Sequence, residues 1–147
     1  MVKKSLFYNK KFNKFEWATI PNNLFNCDVT KPFILHTGNH VPYKFNIITL
    51  WEVFEHFTYA ELYLVLENIK LHLAPDGLIF ATTSQGHSYH KLYKEIDLHR
   101  TRKNKDWWIR RFGEAGLIEV PEIEKQFEGK FLRDSRTNSK YVLRKNG

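Results

Sequence analysis

Phe45-Asn46-Ile47-Ile48-Thr49-Leu50-Trp51-Glu52-Val53-Phe54-Glu55-His56 decides the fold. It begins as a short apolar run with β-branched residues, the pattern of a strand buried on both faces in a parallel sheet. The run breaks at Trp51-Glu52, and two carboxylates and a histidine follow within five residues. Open α/β sheets build ligand sites at the carboxyl ends of such strands. The stretch therefore points to a small-molecule pocket at the edge of a parallel sheet.

The segments on either side fit that frame. Thr58-Tyr59-Ala60-Glu61 is a capping box, and Leu62, Val65, Leu66, Ile69 and Leu73 recur behind it at helical spacing. Pro75-Asp76-Gly77 closes this helix as a turn, and Leu78–Thr83 reads as a second buried strand. A strand, a crossover helix and a strand make a parallel pair. Asp106 is placed to cap a further helix with Trp108, Ile109, Phe112 and Ala115 on one face. Gly116 sits where a left-handed residue ends it, and Leu117–Val120 starts a strand. Phe127–Arg133 and Lys140–Arg144 read as a closing hairpin around a polar loop.

Upstream, Tyr8–Trp17 is expected to be a helix and Pro21-Asn22-Asn23 a turn. Leu24–Cys27 reads as a short strand, and 31–43 as a loop containing Pro32 and Gly38-Asn39. Residues 84–103 are polar, and 89–95 carry one or two helical turns.

The chain has 147 residues, 42% of them hydrophobic and 16% aromatic, which is one domain with a real core. A lone cysteine, Cys27, rules out a disulfide framework and suits a reducing compartment. No apolar run approaches the roughly 18 residues a membrane span needs, and Met1–Tyr8 lacks the apolar centre of a secretory signal. A cytoplasmic protein with no membrane partner is expected. The net charge of +7 suits an acidic partner such as nucleic acid, or simply reflects a chain rich in Lys, Asn, Phe and Ile.

This order resembles the class I S-adenosylmethionine-dependent methyltransferases from their third strand onward. The residues that carry the likeness are Asn26-Cys27-Asp28-Val29-Thr30, the Glu52-to-His56 step after its strand, and Leu73-Ala74-Pro75-Asp76-Gly77-Leu78. Asp106-Trp107-Trp108-Ile109 and Phe112-Gly113-Glu114-Ala115-Gly116-Leu117 continue it. Asp97-Leu98-His99-Arg100-Thr101 is similar to one bacterial and viral branch of that family. The resemblance covers roughly residues 20–147. It departs from the family at one point: no G-x-G occurs, so the glycine-rich loop is absent, as is the acid that takes the ribose hydroxyls.

The resemblance implies one partial domain over 1–147. Its fold would be a Rossmann-like, mostly parallel sheet with a C-terminal antiparallel hairpin, lacking its first strand or strands. It implies S-adenosylmethionine as cofactor. Asp28 and Val29 would meet the adenine, or Asp28 simply makes a turn before Pro32. Leu50, Trp51 and Glu52 would lie at the cofactor's ammonium end, with His56 beside it; as plain structure, Trp51 is core and Glu52 a helix-start charge. His87, His90 and His99 fall where the family faces its substrate, with His99 the candidate base for a hydroxyl acceptor and Trp107 a substrate contact. Taken alone, each histidine reads first as a solvated loop residue. No cysteine cluster accompanies them and their spacings match no zinc site, so no metal is expected.

Arg100, Arg102, Lys103, Lys105, Arg110 and Arg111 form a basic cluster beside Trp107 and Trp108. It is either a site for nucleic acid or a phosphorylated substrate, or a solvated helix face. The N-P-P-Y motif of amino-methylating nucleic-acid enzymes is missing, which favours a small-molecule or glycan-type acceptor. A partner chain or a further N-terminal segment would complete the cofactor site. Two other functions stay open: a methyltransferase-like binding partner without catalysis, and a basic nucleic-acid-binding module.

Overall fold

A computed structural model describes residues 8–9, 14–15, 27–36, 41–88, 96–130 and 137–147. Two short strands come first, β1 (Tyr8–Asn9) and β2 (Lys14–Phe15), paired antiparallel. The helix expected over Tyr8–Trp17 is therefore corrected. Tyr and Phe favour a pleated backbone, and Asn competes with helix hydrogen bonds. The strand expected at Leu24–Cys27 and the turn at Pro21–Asn23 fall outside the described residues, apart from Cys27, which is not in a strand. The expected loop is irregular where described, with one bridge between His36 and Pro42.

The main sheet begins with β3 (Phe45–Trp51), followed by a 3-10 turn at Phe54–His56 and helix α1 (Tyr59–His72). Thr58 closes the expected capping box: its hydroxyl accepts from the Glu61 amide, and Glu61 accepts from the Thr58 amide at 2.8 Å. Strand β4 (Leu73–Ser84) starts directly from the helix. The Pro75-Asp76-Gly77 turn is an irregularity inside this strand, because Phe45 pairs with Leu73 while Ile47 pairs with Leu78. Gly77 is required there: a Cβ would lie 2.9 Å from the Phe45 carbonyl oxygen.

Helix α2 (Lys105–Glu114) is capped by Asn104, whose side chain accepts from the Trp107 amide at 3.0 Å. This corrects the cap expected at Asp106, which lies in the first turn, where its charge suits the helix dipole. Gly116 has φ 76°, as its C-terminal position demands. Then come β5 (Leu117–Glu119), α3 (Pro121–Glu124), a 3-10 turn at Lys125–Phe127 and β6 (Asn138–Lys145).

The expected C-terminal hairpin is also corrected. Phe127 closes a 3-10 turn, and 131–136 lie outside the described residues. β6 instead inserts between β4 and β5, antiparallel to both. The sheet order is β3-β4-β6-β5, with β3 and β4 parallel. The sheet is therefore mixed: β3, β4 and β5 run one way and the C-terminal β6 the other, and the architecture is α/β.

One face of the sheet carries the core. Ile79 and Ala81 of β4 and Tyr141 and Leu143 of β6 pack with Leu62, Val65, Leu66 and Ile69 of α1 and with Trp108 and Phe112 of α2. Phe54 sits at the centre, fully buried, 5.2 Å ring-to-ring from Phe112 and 6.2 Å from Trp108. β3 departs from its expected burial. It is the edge of the described sheet, and Ile47 is 59% and Trp51 44% exposed. A strand with one neighbour cannot be covered as a central strand is. Among the described residues no helix is long and apolar enough to cross a membrane.

Candidate functional site

The chain turns sharply where β3 ends. Glu52 has φ 52°, the only positive φ among described non-glycine residues. A side chain held there is strained by about 1–3 kcal/mol, a kind of strain that concentrates at functional sites. Two neighbours hold it. The Glu52 amide donates to the Thr82 carbonyl oxygen at 3.1 Å and to its hydroxyl at 3.0 Å. The Glu52 carboxylate accepts from the Asn138 side-chain amide at 2.6 Å. Strands β4 and β6 thus fix a carboxylate at the mouth of β3.

The next carboxylate is buried. Glu55 is fully enclosed; its Oε1 accepts from the Ser84 amide at 2.9 Å, and its Oε2 has no hydrogen-bond partner among the described residues. Burial raises its carboxyl above the usual range, against the pull of the Ser84 amide and of His99 and His56. Its carbonyl accepts from the Thr101 amide, and the Thr101 hydroxyl donates to the Phe57 carbonyl. Glu55 therefore ties the 3-10 turn to the end of β4 and to the segment before α2.

Two histidines meet here. The rings of His56 and His99 are 4.9 Å apart, edge to face. His56 Nδ1 bonds the Leu98 carbonyl at 3.0 Å, and His99 Nδ1 bonds the Gly86 carbonyl at 2.6 Å. A carbonyl only accepts, so each Nδ1 carries the proton and each neutral ring keeps its lone pair on Nε2. His99 is 9% exposed and lines a polar cleft of ≈ 780 Å³ with Tyr59, Trp107 and four basic side chains. Asp97 braces this loop. It accepts from the His99 and Ser88 amides and from His87, and these bonds pull its carboxyl down to about 2.

Other expected residues fall elsewhere. His87 bridges Asp97 and Arg102: Arg102 donates to Nε2 at 2.7 Å, so Nδ1 donates to Asp97 at 2.7 Å. Both ring nitrogens of His87, expected to face the substrate, are thereby engaged with Asp97 and Arg102. His90 lies outside the described residues. Trp107 does line the cleft, stacked edge-on against Trp108 at 5.0 Å.

Asp28 and Val29 sit on a different feature. The Asp28 carboxylate accepts from the Thr30 amide at 3.0 Å and hydroxyl at 2.6 Å, which lowers it below the usual carboxylate range. It makes a turn. Val29 lines an apolar groove of ≈ 320 Å³ with Leu50 and Val53, against α1. The outer wall of this groove is pinned by polar residues on the helix. Asn68 donates to the Val29 and Lys31 carbonyls at 2.9 Å each, and His72 Nε2 accepts from the Leu35 amide at 2.9 Å. Trp51 is half exposed at the strand end rather than core.

The structure thus unites His56 and His99 beside the buried Glu55, with Trp107 in the cleft that His99 lines and Val29 with Leu50 in the groove, while Glu52 is held against Asn138. The sequence reading missed Glu55, Asn138, Asn68 and His72. For Glu55 a signal existed: it is flanked by Phe54 and Phe57, and a carboxylate amid such residues is buried with purpose. Among the described residues no group of three His, Cys, Asp or Glu side chains could hold a metal ion.

A solved structure described as "A Pericyclic Reaction enzyme" is similar to this chain at 12% identity, with a TM-score of 0.51. The match covers 87% of this chain and 32% of that one, so the chain spans about a third of its length. At that identity the likeness concerns the fold. No curated protein matches the sequence. A family model described as "Methyltransferase domain" matches residues 3–128. With most of its length inside that match, the chain belongs to the methyltransferase domain family.

Proposed function

We propose that the chain is an S-adenosylmethionine-dependent methyltransferase acting on a hydroxyl of a small-molecule or glycan-type acceptor. One observation carries the reading: the strained, doubly held Glu52 at the carboxyl end of a parallel strand, in a chain of this family. A fixed carboxylate there suits a cationic ammonium. The apolar groove at Val29, Leu50 and Val53 suits a flat ring. Asp28 suits the adenine less well, because its carboxylate already serves Thr30.

The cofactor supplies a methyl group activated on a sulfonium. The chain's own residues do the rest. The cleft would hold and orient the acceptor, and orientation is most of what a methyl displacement needs. His99, with its Nδ1 proton on Gly86, would offer Nε2 to take the proton of the acceptor hydroxyl. The enclosed Glu55 beside both histidines favours the imidazolium that results. A partner chain or a further segment of chain would cover the open side of β3 and complete the cofactor's enclosure. Family membership favours this transferase over a bare nucleic-acid-binding module.

Calorimetric titration with S-adenosylmethionine tests the proposal. A saturable heat and an upward thermal shift are expected. No heat and no shift at millimolar ligand would reject a self-sufficient cofactor site.

A further inference from the structure

The polar cleft has a charge the methyl-transfer chemistry does not explain. Ten residues line it, beginning with Tyr59 and Gln85 and continuing through the segment from His99 to α2. Four are cationic, Arg100, Arg102, Lys103 and Arg111, and none is acidic. Gln85 directly follows β4, so the cleft opens beyond the carboxyl end of the parallel pair, where open α/β sheets take their ligands.

The cations are held in place and keep donors to spare. Arg100 pairs with Glu61 at 3.1 Å, Arg102 with Asp97 at 3.5 Å and Arg111 with Glu114 at 2.6 Å. None of those carboxylates lines the cleft. A guanidinium has five N–H donors, so one carboxylate leaves others for a ligand. The Arg111 guanidinium also lies 5.5 Å from the Tyr59 ring and 5.4 Å from the Trp107 ring, and donates to the Tyr59 hydroxyl at 2.9 Å. Lys103 makes no ion pair among the described residues; its Nζ stands 5.9 Å over the Trp107 ring. Cations already fixed lose little freedom on binding.

We propose that this cleft binds the phosphate or diphosphate group of the acceptor. Calling the ligand an acceptor rests on the methyltransferase reading; the anion site itself does not. A single carboxylate is satisfied by one arginine, whereas four converging cations match the several oxygens and greater charge of a phosphate group. At ≈ 780 Å³ the cleft has the size of a small-molecule pocket rather than of a track for a polymer.

The test titrates the full chain with inorganic pyrophosphate at low salt by calorimetry, without S-adenosylmethionine. Saturable binding is expected. Lys103→Glu should weaken it about tenfold or more, through loss of one cation and gain of one repulsion. Lys125→Glu, an equal change of net charge on an exposed turn outside the cleft, should leave it unchanged. Thermal midpoints near wild type for both variants would show that they fold. No pyrophosphate heat at millimolar concentration, or equal weakening by the two variants, would overturn the proposal. So would a single-stranded oligonucleotide that binds more tightly than pyrophosphate, with affinity rising with its length. Pyrophosphate binding without S-adenosylmethionine binding would support the anion site and reject a self-sufficient cofactor site; the reverse would sink the anion site alone.

Discussion

The groove beside β3 and the cleft beyond β4 are built by opposite means. The groove is made by shape: Leu50, Val53, Val65 and Ile69 leave an apolar slot, and only Asn68 and His72 pin its outer wall. The cleft is made by charge and hydrogen bonds: Glu55, Asp97, His99 and the arginines each answer to a named partner. An apolar slot adapts to its occupant and tolerates substitution. A polar network is specific and fails when one member is removed. On the proposed function, the half that would take the cofactor is thus loosely specified, and the half that would choose an acceptor is tightly specified.

The largest expected effect falls on the core that α1 and α2 share behind the two regions. Phe54→Ala, at a fully buried position between Trp108 and Phe112, should cost about 3–5 kcal/mol in denaturant unfolding and impair both regions together. A loss below about 1 kcal/mol would mean the two are not joined through this residue.

Glu55 separates them. Glu55→Ala leaves the Ser84 amide unpaired and should cost about 1–3 kcal/mol while sparing the groove. Its pH signature has a definite sign. Its carboxyl is raised above the ordinary 4.5, so above that pH the folded protein holds a proton the unfolded chain has lost. Stability contributed by Glu55 therefore falls as pH rises from about 4.5 through the raised value. Asp97 runs the other way: lowered to about 2 from 3.8, it contributes above 3.8, and the contribution is lost as pH falls toward 2. Thermal midpoints across pH 2–7 (roughly the window of both groups) should lose the first slope in Glu55→Gln and the second in Asp97→Asn. Unaltered curves would remove Glu55 and Asp97 from the charge network.

The smallest effect lies on the groove's open side. Ile47→Lys, at a position 59% exposed on the edge strand, should change stability by no more than about 0.5 kcal/mol. A loss of about 2 kcal/mol would show that the face is covered in solution.

Much of this was legible in the residues. Thr58 and Glu61 announced α1, Gly116 announced the end of α2, and the break at Glu52 announced the mouth of the sheet. What was not legible depends on neighbours distant in sequence. β3 reads as a central strand because Ile47, Ile48 and Leu50 are apolar, but its place at the edge of the described sheet is a fact of sheet order. Asn138 reads as loop, and only its position opposite Ser84 brings it to Glu52. His87 and His99 look alike in the chain; Arg102 occupies one and leaves the other its lone pair. Asp28 belongs to a local turn that its neighbour Thr30 could have signalled.

The central claim is that Glu52 serves the cofactor half and not the acceptor half. The measurement is a pair of titrations on Glu52→Ala, one with S-adenosylmethionine and one with pyrophosphate. The account predicts cofactor affinity weakened about tenfold or more, from loss of a charge-assisted contact, with pyrophosphate affinity unchanged. Unchanged affinity for S-adenosylmethionine would contradict it.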